Sequence, residues 1–196
     1  ALHPAQIVNK ELSMVQKQEL QTTEKQAIAR YAASLIEPDD CVYLDAGTTT
    51  GWMIEYIRQE KATYITNALS HAKRLADKGF SVILIGGEPK SSTDAIVGGE
   101  AVLNLQKYHF SKGFFGVNGV DRLSGFTTPD VKEAVVKQAA VKNTQPAHRY
   151  FLTTSSKFGE VYAVTFAGFE GGTILTEDNV SEALPKSIEI INVTQQ

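Results

Sequence analysis

Leu44-Asp45-Ala46-Gly47-Thr48-Thr49-Thr50-Gly51 is the stretch on which the reading of this chain turns. Before it, Cys41-Val42-Tyr43-Leu44 is a short apolar run that reads as a buried strand. After it, Trp52-Met53-Ile54-Glu55-Tyr56-Ile57 reads as a helix. A strand that passes through a glycine and three hydroxyl residues into a helix is one unit of an α/β fold, and the rest of the chain repeats it. Strands are expected at Thr63 to Thr66, Ser81 to Ile85, Gly113 to Val117, Arg149 to Thr154, Thr173 to Thr176 and Ile188 to Ile191. Helices are expected at Leu69 to Asp77, about Ala95 to Leu105, and Val131 to Lys142. Upstream, Ile28, Ala29, Ala32, Leu35 and Ile36 give an amphipathic helix, with Thr22 or Thr23 supplying a hydroxyl near its N-cap. Glu37-Pro38-Asp39-Asp40 stops it. The expectation is an α/β fold: an open, largely parallel sheet with helices on both faces.

Ligands of such sheets bind beyond the carboxyl ends of the strands. Here Leu44 is followed by the Asp45 turn, Thr66 by Asn67, Ile85 by Gly86-Gly87, Val117 by Asn118-Gly119-Val120-Asp121, and Thr154 by Ser155-Ser156-Lys157. Each end carries glycine or a small polar group. Gly47 lets backbone approach a ligand closely, and the Thr48, Thr49 and Thr50 hydroxyls with the amides of the following helix start can hold a phosphate. The turn lacks the Gly-Lys-Ser/Thr ending of a nucleotide P-loop and the spaced glycines of a dinucleotide fingerprint. Asp45 would repel a phosphate set directly on it, so it either receives sugar hydroxyls or binds loop amides. Lys157 is the cation best placed for a phosphate. Glu133 and Lys137, four apart on a helix, are either an exposed ion pair or a pair that faces the cleft. Asn67, Gly87, Gly119 and Asp121 complete the candidate sugar-binding set.

Composition narrows the function classes. The chain has 196 residues, 42% of them hydrophobic, enough for one sizeable core, and its net charge of -3 is not the basic footprint of an independent nucleic-acid binder. Cys41 is the single cysteine, expected to be a buried thiol in a protein of a reducing, cytoplasmic compartment. The four histidines are scattered at His3, His71, His109 and His148, so no metal site and no cofactor is expected. No stretch is apolar and long enough to span a bilayer. Ala1 opens the chain without an initiator methionine, and Gln16 to Gln21 is polar and glutamine-rich. Residues 1–21 are therefore expected to be a linker or helical lead-in from a longer polypeptide, with residues 22–196 forming the ligand-binding domain.

An ordered set of short motifs resembles a known family. Lys25-Gln26-Ala27-Ile28-Ala29, Leu44 to Thr50, Ile65-Thr66-Asn67, Gly86-Gly87, Gly116-Val117-Asn118-Gly119, Gly125-Phe126-Thr127-Thr128-Pro129-Asp130, Glu133-Ala134 with Lys137, and Ser156-Lys157-Phe158-Gly159 are similar to the C-terminal effector domain of DeoR-type repressors. The resemblance covers about Glu24 to Thr176. It implies a fold similar to ribose-5-phosphate isomerase and glucosamine-6-phosphate deaminase, with the phosphate on Gly47 to Thr50. It implies a phosphorylated sugar as effector, a homodimer or homotetramer, and an N-terminal winged helix-turn-helix through which alone operator DNA is bound. The Phe126 to Asp130 stretch with Glu133 most resembles repressors of fructose phosphotransferase operons, whose effector would be fructose 1-phosphate. Lactose-operon repressors, with tagatose 6-phosphate, come second. Many relatives carry Asp shortly before Ser-Lys-Phe, where this chain has Thr153-Thr154-Ser155.

Two functions compete. In a sensor, the sugar phosphate binds at the strand ends, orders a Gly119 to Asp130 loop and shifts an oligomer between two states. In an isomerase or amino-sugar phosphate deaminase, a carboxylate base is needed, with Glu133, Asp121 and Asp45 the candidates. The missing carboxylate before Lys157 favours the sensor, and no enzymatic role is expected. A coenzyme A transferase would need an acyl-accepting Glu beside a glycine loop, which is not apparent.

Overall fold

A computed structural model describes residues 6–7, 16, 19–180 and 184–196. Most of the expected 1–21 lead-in lies outside the described residues. In chain order the elements are β1 (Gln6–Ile7), α1 (Thr22–Ser34), β2 (Cys41–Leu44), α2 (Thr48–Tyr56), β3 (Thr63–Thr66), α3 (Leu69–Asp77), β4 (Ser81–Leu84), β5 (Glu88–Lys90) and β6 (Ala95–Val97). They continue as α4 (Gly99–Leu105), β7 (Lys112–Gly116), β8 (Gly119–Asp121), β9 (Gly125–Thr128), α5 (Val131–Lys142), β10 (Arg149–Leu152), β11 (Glu160–Val161), β12 (Val164–Ala167), β13 (Gly172–Thr176) and β14 (Glu189–Asn192).

The main sheet has seven strands in the order β14-β13-β10-β7-β2-β3-β4. Every pairing in it is parallel. Side chains alternate across a strand, so each strand feeds two cores. Val42, Leu44, Tyr64, Phe114, Leu152 and Leu175 meet Ile28, Ala29, Ala32, Met53 and Ile54 of α1 and α2. Tyr43, Ile65, Phe115, Phe151 and Ile174 face the opposite way, against Ala101 and Leu105 of α4 and Ala134, Val136 and Ala140 of α5. The central strands are buried on both faces, which is why they read as continuous apolar runs, while the edge strands β4 and β14 are largely exposed. Cys41 is half-buried and packs on the second of these cores. No helix among the described residues is long and apolar enough to cross a membrane.

Three local expectations change. The hydroxyls at Thr22 and Thr23 do not cap α1: Gln21 holds the cap position in the left-handed region at φ 51°, and its side chain is engaged elsewhere. The segment from Ala95 to Leu105 is not one helix. Ala95–Val97 is a strand paired with β5, and Gly98, at φ 96°, turns the chain into the seven residues of α4. Much of the Gly119 to Asp130 segment, expected as a loop, is strand: β8 and β9 form an antiparallel pair that β12 extends to three strands. Phe126 of this small sheet stacks on Phe151 of the main sheet at 3.8 Å between ring centroids.

Candidate functional site

The strand order sets the site. From β2 the chain winds outward through β3 to the β4 edge, then returns to β7 on the other side of β2 and winds outward through β10 and β13 to β14. The connections diverge between β2 and β7, which opens a crevice at their carboxyl ends. Into this crevice run Ala46 to Thr49 after β2, Gly116 to Asn118 after β7, Lys157 after β10, Glu133 and Lys137 from α5, and Thr93 from the β5–β6 turn. Together they line a cavity of about 50 Å³.

The floor is an ion pair. Asp45 is 1% exposed and its Oδ2 accepts from the Gly116 amide at 3.0 Å and from Lys137 Nζ. Lys137 Nζ also donates to the Gly116 carbonyl at 3.0 Å and lies 5.4 Å from the centroid of the Phe166 ring. Burial pushes the Asp45 carboxyl up from the usual carboxylate range, while Lys137 and the Gly116 amide pull it back. Of the two roles open to Asp45, binding protein groups is the one its geometry shows.

Asn67 supports the turn from the neighbouring strand end. Its Oδ1 accepts from Tyr43 Oη at 2.9 Å and from the Ala46 amide at 3.0 Å, and its Nδ2 donates to the Ile96 carbonyl at 3.2 Å. Gly47 then caps α2 in extended backbone, and the first helical bond runs from the Gly51 amide to the Gly47 carbonyl at 3.0 Å. The Thr48, Thr49 and Thr50 amides therefore have no acceptor inside the helix, and they carry its positive end. Thr48 and Thr49 line the cavity, but Thr50 does not. The Thr50 hydroxyl is fully buried and donates to the Asp45 carbonyl at 2.6 Å, so it builds the turn.

The remaining walls are charged or polar. Lys157 Nζ donates to the Val117 carbonyl at 2.5 Å. Glu133 and Lys137 both face the crevice, yet they do not pair with each other. Glu133 Oε1 instead accepts from Lys90 Nζ at 3.0 Å and from Thr93 Oγ1. Asp130 caps α5 by accepting from the Glu133 amide at 3.0 Å, and its carboxylate meets Lys90 at 3.1 Å. Asn118 Oδ1 accepts from Thr128 Oγ1 at 3.1 Å.

Three candidates lie outside this constellation. Asp121 accepts from the Leu123 and Ser124 amides at 3.0 and 2.8 Å and closes the β8–β9 turn. Gly119 sits in β8, where a Cβ would fall 2.3 Å from the Glu160 carbonyl oxygen. Gly87 packs its backbone against β6, where a Cβ would fall 2.7 Å from the Val97 carbonyl oxygen. Thr93, Gly116, Val117 and Asn118 enter in their place. The Gly116 to Asn118 run was visible as a strand end. Thr93 had no sequence signal, since a hairpin turn brings it in. Ahead of Ser155, Thr153 and Thr154 are fully buried. A carboxylate reaches this strand end from just past β13: Glu177 Oε1 accepts from the Ser155 hydroxyl at 2.7 Å.

The chain is similar to the "Uncharacterized HTH-type transcriptional regulator FruR" of Bacillus subtilis (strain 168), 44% identical over 169 residues, 86% of this chain and 66% of that protein. It is similar to the "Lactose phosphotransferase system repressor" of Staphylococcus aureus (strain N315), 36% identical over 183 residues, 92% of this chain and 72% of that protein. Thus it spans slightly under two thirds of the first relative's length. Among solved structures, ribose 5 phosphate isomerase A from Neisseria gonorrhoeae matches 74% of this chain and 55% of its own, with a TM-score of 0.50 and 12% identity. The translation initiation factor eIF-2B from Pyrococcus horikoshii OT3 matches 72% of this chain and 50% of its own, with a TM-score of 0.50 and 16% identity. These two show the fold alone, a parallel sheet of the ribose-5-phosphate isomerase type. The family model described as the DeoR C terminal sensor domain matches residues 20–179, and the chain belongs to that family.

Proposed function

We propose that this domain binds a phosphorylated sugar at the crevice between β2 and β7, as the effector site of a repressor of sugar uptake genes. The observation that carries the reading is the convergence of the Thr48 and Thr49 turn, Lys157, Lys137 and Glu133 on one cavity at the switch point of the sheet. The phosphoryl group lies against the positive end of α2 and Lys157. Glu133, Asn118 and Thr93 take the sugar hydroxyls, and Asp45 with Lys137 forms the floor beneath them.

Fructose 1-phosphate is the first choice of effector and tagatose 6-phosphate the second, in keeping with the names of the two relatives. The cavity, of about 50 Å³, is smaller than typical small-molecule sites. The β5–β6 turn, which carries Thr93, is the wall that would move aside as the sugar enters. Residues 1–21 act as the lead-in from a DNA-binding head, and the sensor works as a homodimer or homotetramer in the cytoplasm.

The enzyme reading keeps one carboxylate, Glu133, in the cavity. Asp45 is committed to Lys137 and Asp121 to its turn. Incubation with sugar phosphates is expected to give no product by NMR.

Thermal denaturation tests the sensor. A ligand at a hundred times its Kd stabilises the folded state by about 2.7 kcal/mol. Fructose 1-phosphate is expected to raise the melting temperature, and Lys157→Ala or Thr49→Ala to weaken binding about tenfold. If no member of a panel of sugar phosphates raises it, the reading is wrong.

A further inference from the structure

A second cavity, of about 440 Å³, lies between α2 and α3 on the other side of the Gly47–Thr48 turn. Its walls include Thr48, Trp52, Glu55, Ser70, His71 and Arg74. The volume falls in the range of small-molecule sites. At one wall α2 approaches α3 closely through a glycine: a Cβ on Gly51 would fall 3.0 Å from His71 Nε2 and 3.4 Å from Arg74 Nη1.

The chemistry of the walls defines an occupant. Glu55 is shared by two cations, Arg74 and Lys78, each at 2.9 Å, and of the two Arg74 lines the cavity. The amino end of α2, which Thr48 begins, adds partial positive charge. His71 is 1% exposed, and its Nδ1 has no hydrogen-bond partner among the described residues. Burial keeps the ring neutral at ordinary pH, so one of its nitrogens is a donor and the other an acceptor. A buried polar nitrogen without a partner is costly and calls for one. Trp52 supplies a flat apolar wall, and Ser70 a hydroxyl at the exposed side.

We propose that this cavity is a second metabolite site, which takes a small anion bearing hydroxyl groups, of the sugar-phosphate class, and communicates with the crevice through the Gly47–Thr48 turn. The anion meets Arg74 and the α2 amino end, a hydroxyl meets His71, and the ring lies on Trp52. Gly47 and Thr48 line both cavities, so occupancy on one side bears on the turn that serves the other. Such coupling is reciprocal. The proposal does not depend on the crevice being an effector site.

Trp52 is the only tryptophan of the chain, so its fluorescence reports this cavity. The chain is titrated with fructose 1-phosphate, tagatose 6-phosphate and glucose 6-phosphate, as the wild type and as Lys157→Ala, Arg74→Gln and Ser70→Phe. At least one sugar phosphate is expected to give a saturable Trp52 change that survives Lys157→Ala. Arg74→Gln, and independently Ser70→Phe, which fills the cavity from its exposed side, are expected to raise the midpoint fivefold or more. Melting curves of the unliganded variants establish that they fold. Loss of the Trp52 change in Lys157→Ala would assign the signal to the crevice and overturn the proposal. So would a midpoint unmoved in both cavity variants. A Trp52 change that persists while Lys157→Ala binds as tightly as the wild type would uphold this site and reject the crevice.

Discussion

Asp45 and Lys137 are separated by 92 residues and meet in the interior, 1% and 4% exposed. Each is tolerable there only because of the other and of Gly116, which bonds both. Removing one member leaves the other buried without its counterion, which costs about 3–5 kcal/mol in such pairs. Asp45→Asn is therefore expected to destabilise the fold by that amount in urea denaturation. His71 behaves differently because it is buried neutral. Desolvation, with Arg74 nearby, moves its ring from 6.5 down to about 4. Between those values the unfolded chain binds more protons than the folded one, so stability falls as pH drops. His71 is expected to contribute its full share above about pH 6.5 and to lose ~3 kcal/mol of it by pH 4. His71→Gln should flatten that part of the profile, measured as urea stability between pH 7 and pH 4. A curve that superimposes on the wild type would reject the assignment.

At the scale of elements, the β5–β6 hairpin is a latch. Lys90 bonds Asp130 and Glu133 at the start of α5, and Thr93 bonds Glu133. The Asp94 carboxylate at the same turn accepts from the Ser70 amide at 2.9 Å. The hairpin thus ties α3 to α5 across the crevice. Lys90→Ala is expected to raise amide hydrogen exchange across residues 88–97 and to speed ligand association, while the β2 and β7 amides remain protected. Unchanged exchange in the hairpin would mean that Lys90 does not hold it closed. This latch was invisible in the sequence. Ala95 to Val97 continues an apolar pattern into α4, and periodicity alone does not separate a short buried strand from a helical turn. Gly98 marks the break, but only its positive φ shows that it acts as one.

At the scale of the molecule, two sheets must stay in register for the crevice to have its far wall. Phe126 joins them, fully buried, stacked on Phe151 and edge-on to Phe169 at 5.2 Å. Phe126→Ala is expected to cost about 3–5 kcal/mol in chemical denaturation. It should also weaken sugar-phosphate binding, because β9 leads directly into the Asp130 cap of α5 and so into Glu133 and Lys137. Wild-type affinity in a folded Phe126→Ala variant would show that the small sheet does not position the site.

The sequence by itself determined the strand–turn–helix repeat, the parallel sheet, the glycine–threonine turn at Gly47 to Thr50 and the polar character of the strand ends. Those follow from local rules: apolar runs of strand length, glycine and hydroxyl residues after them, and helical spacing between them. What the tertiary structure alone decided was which strand ends are neighbours. Asp121 and Gly119 lie close in sequence to Asn118, yet β8 carries them out of the crevice, while Thr93 comes in from a distant turn. Glu133 and Lys137 have helical spacing suited to each other, but each finds a partner from another element. Inside a protein an ion pair forms where desolvation is compensated best, and that depends on the packing of distant segments, which local spacing does not encode.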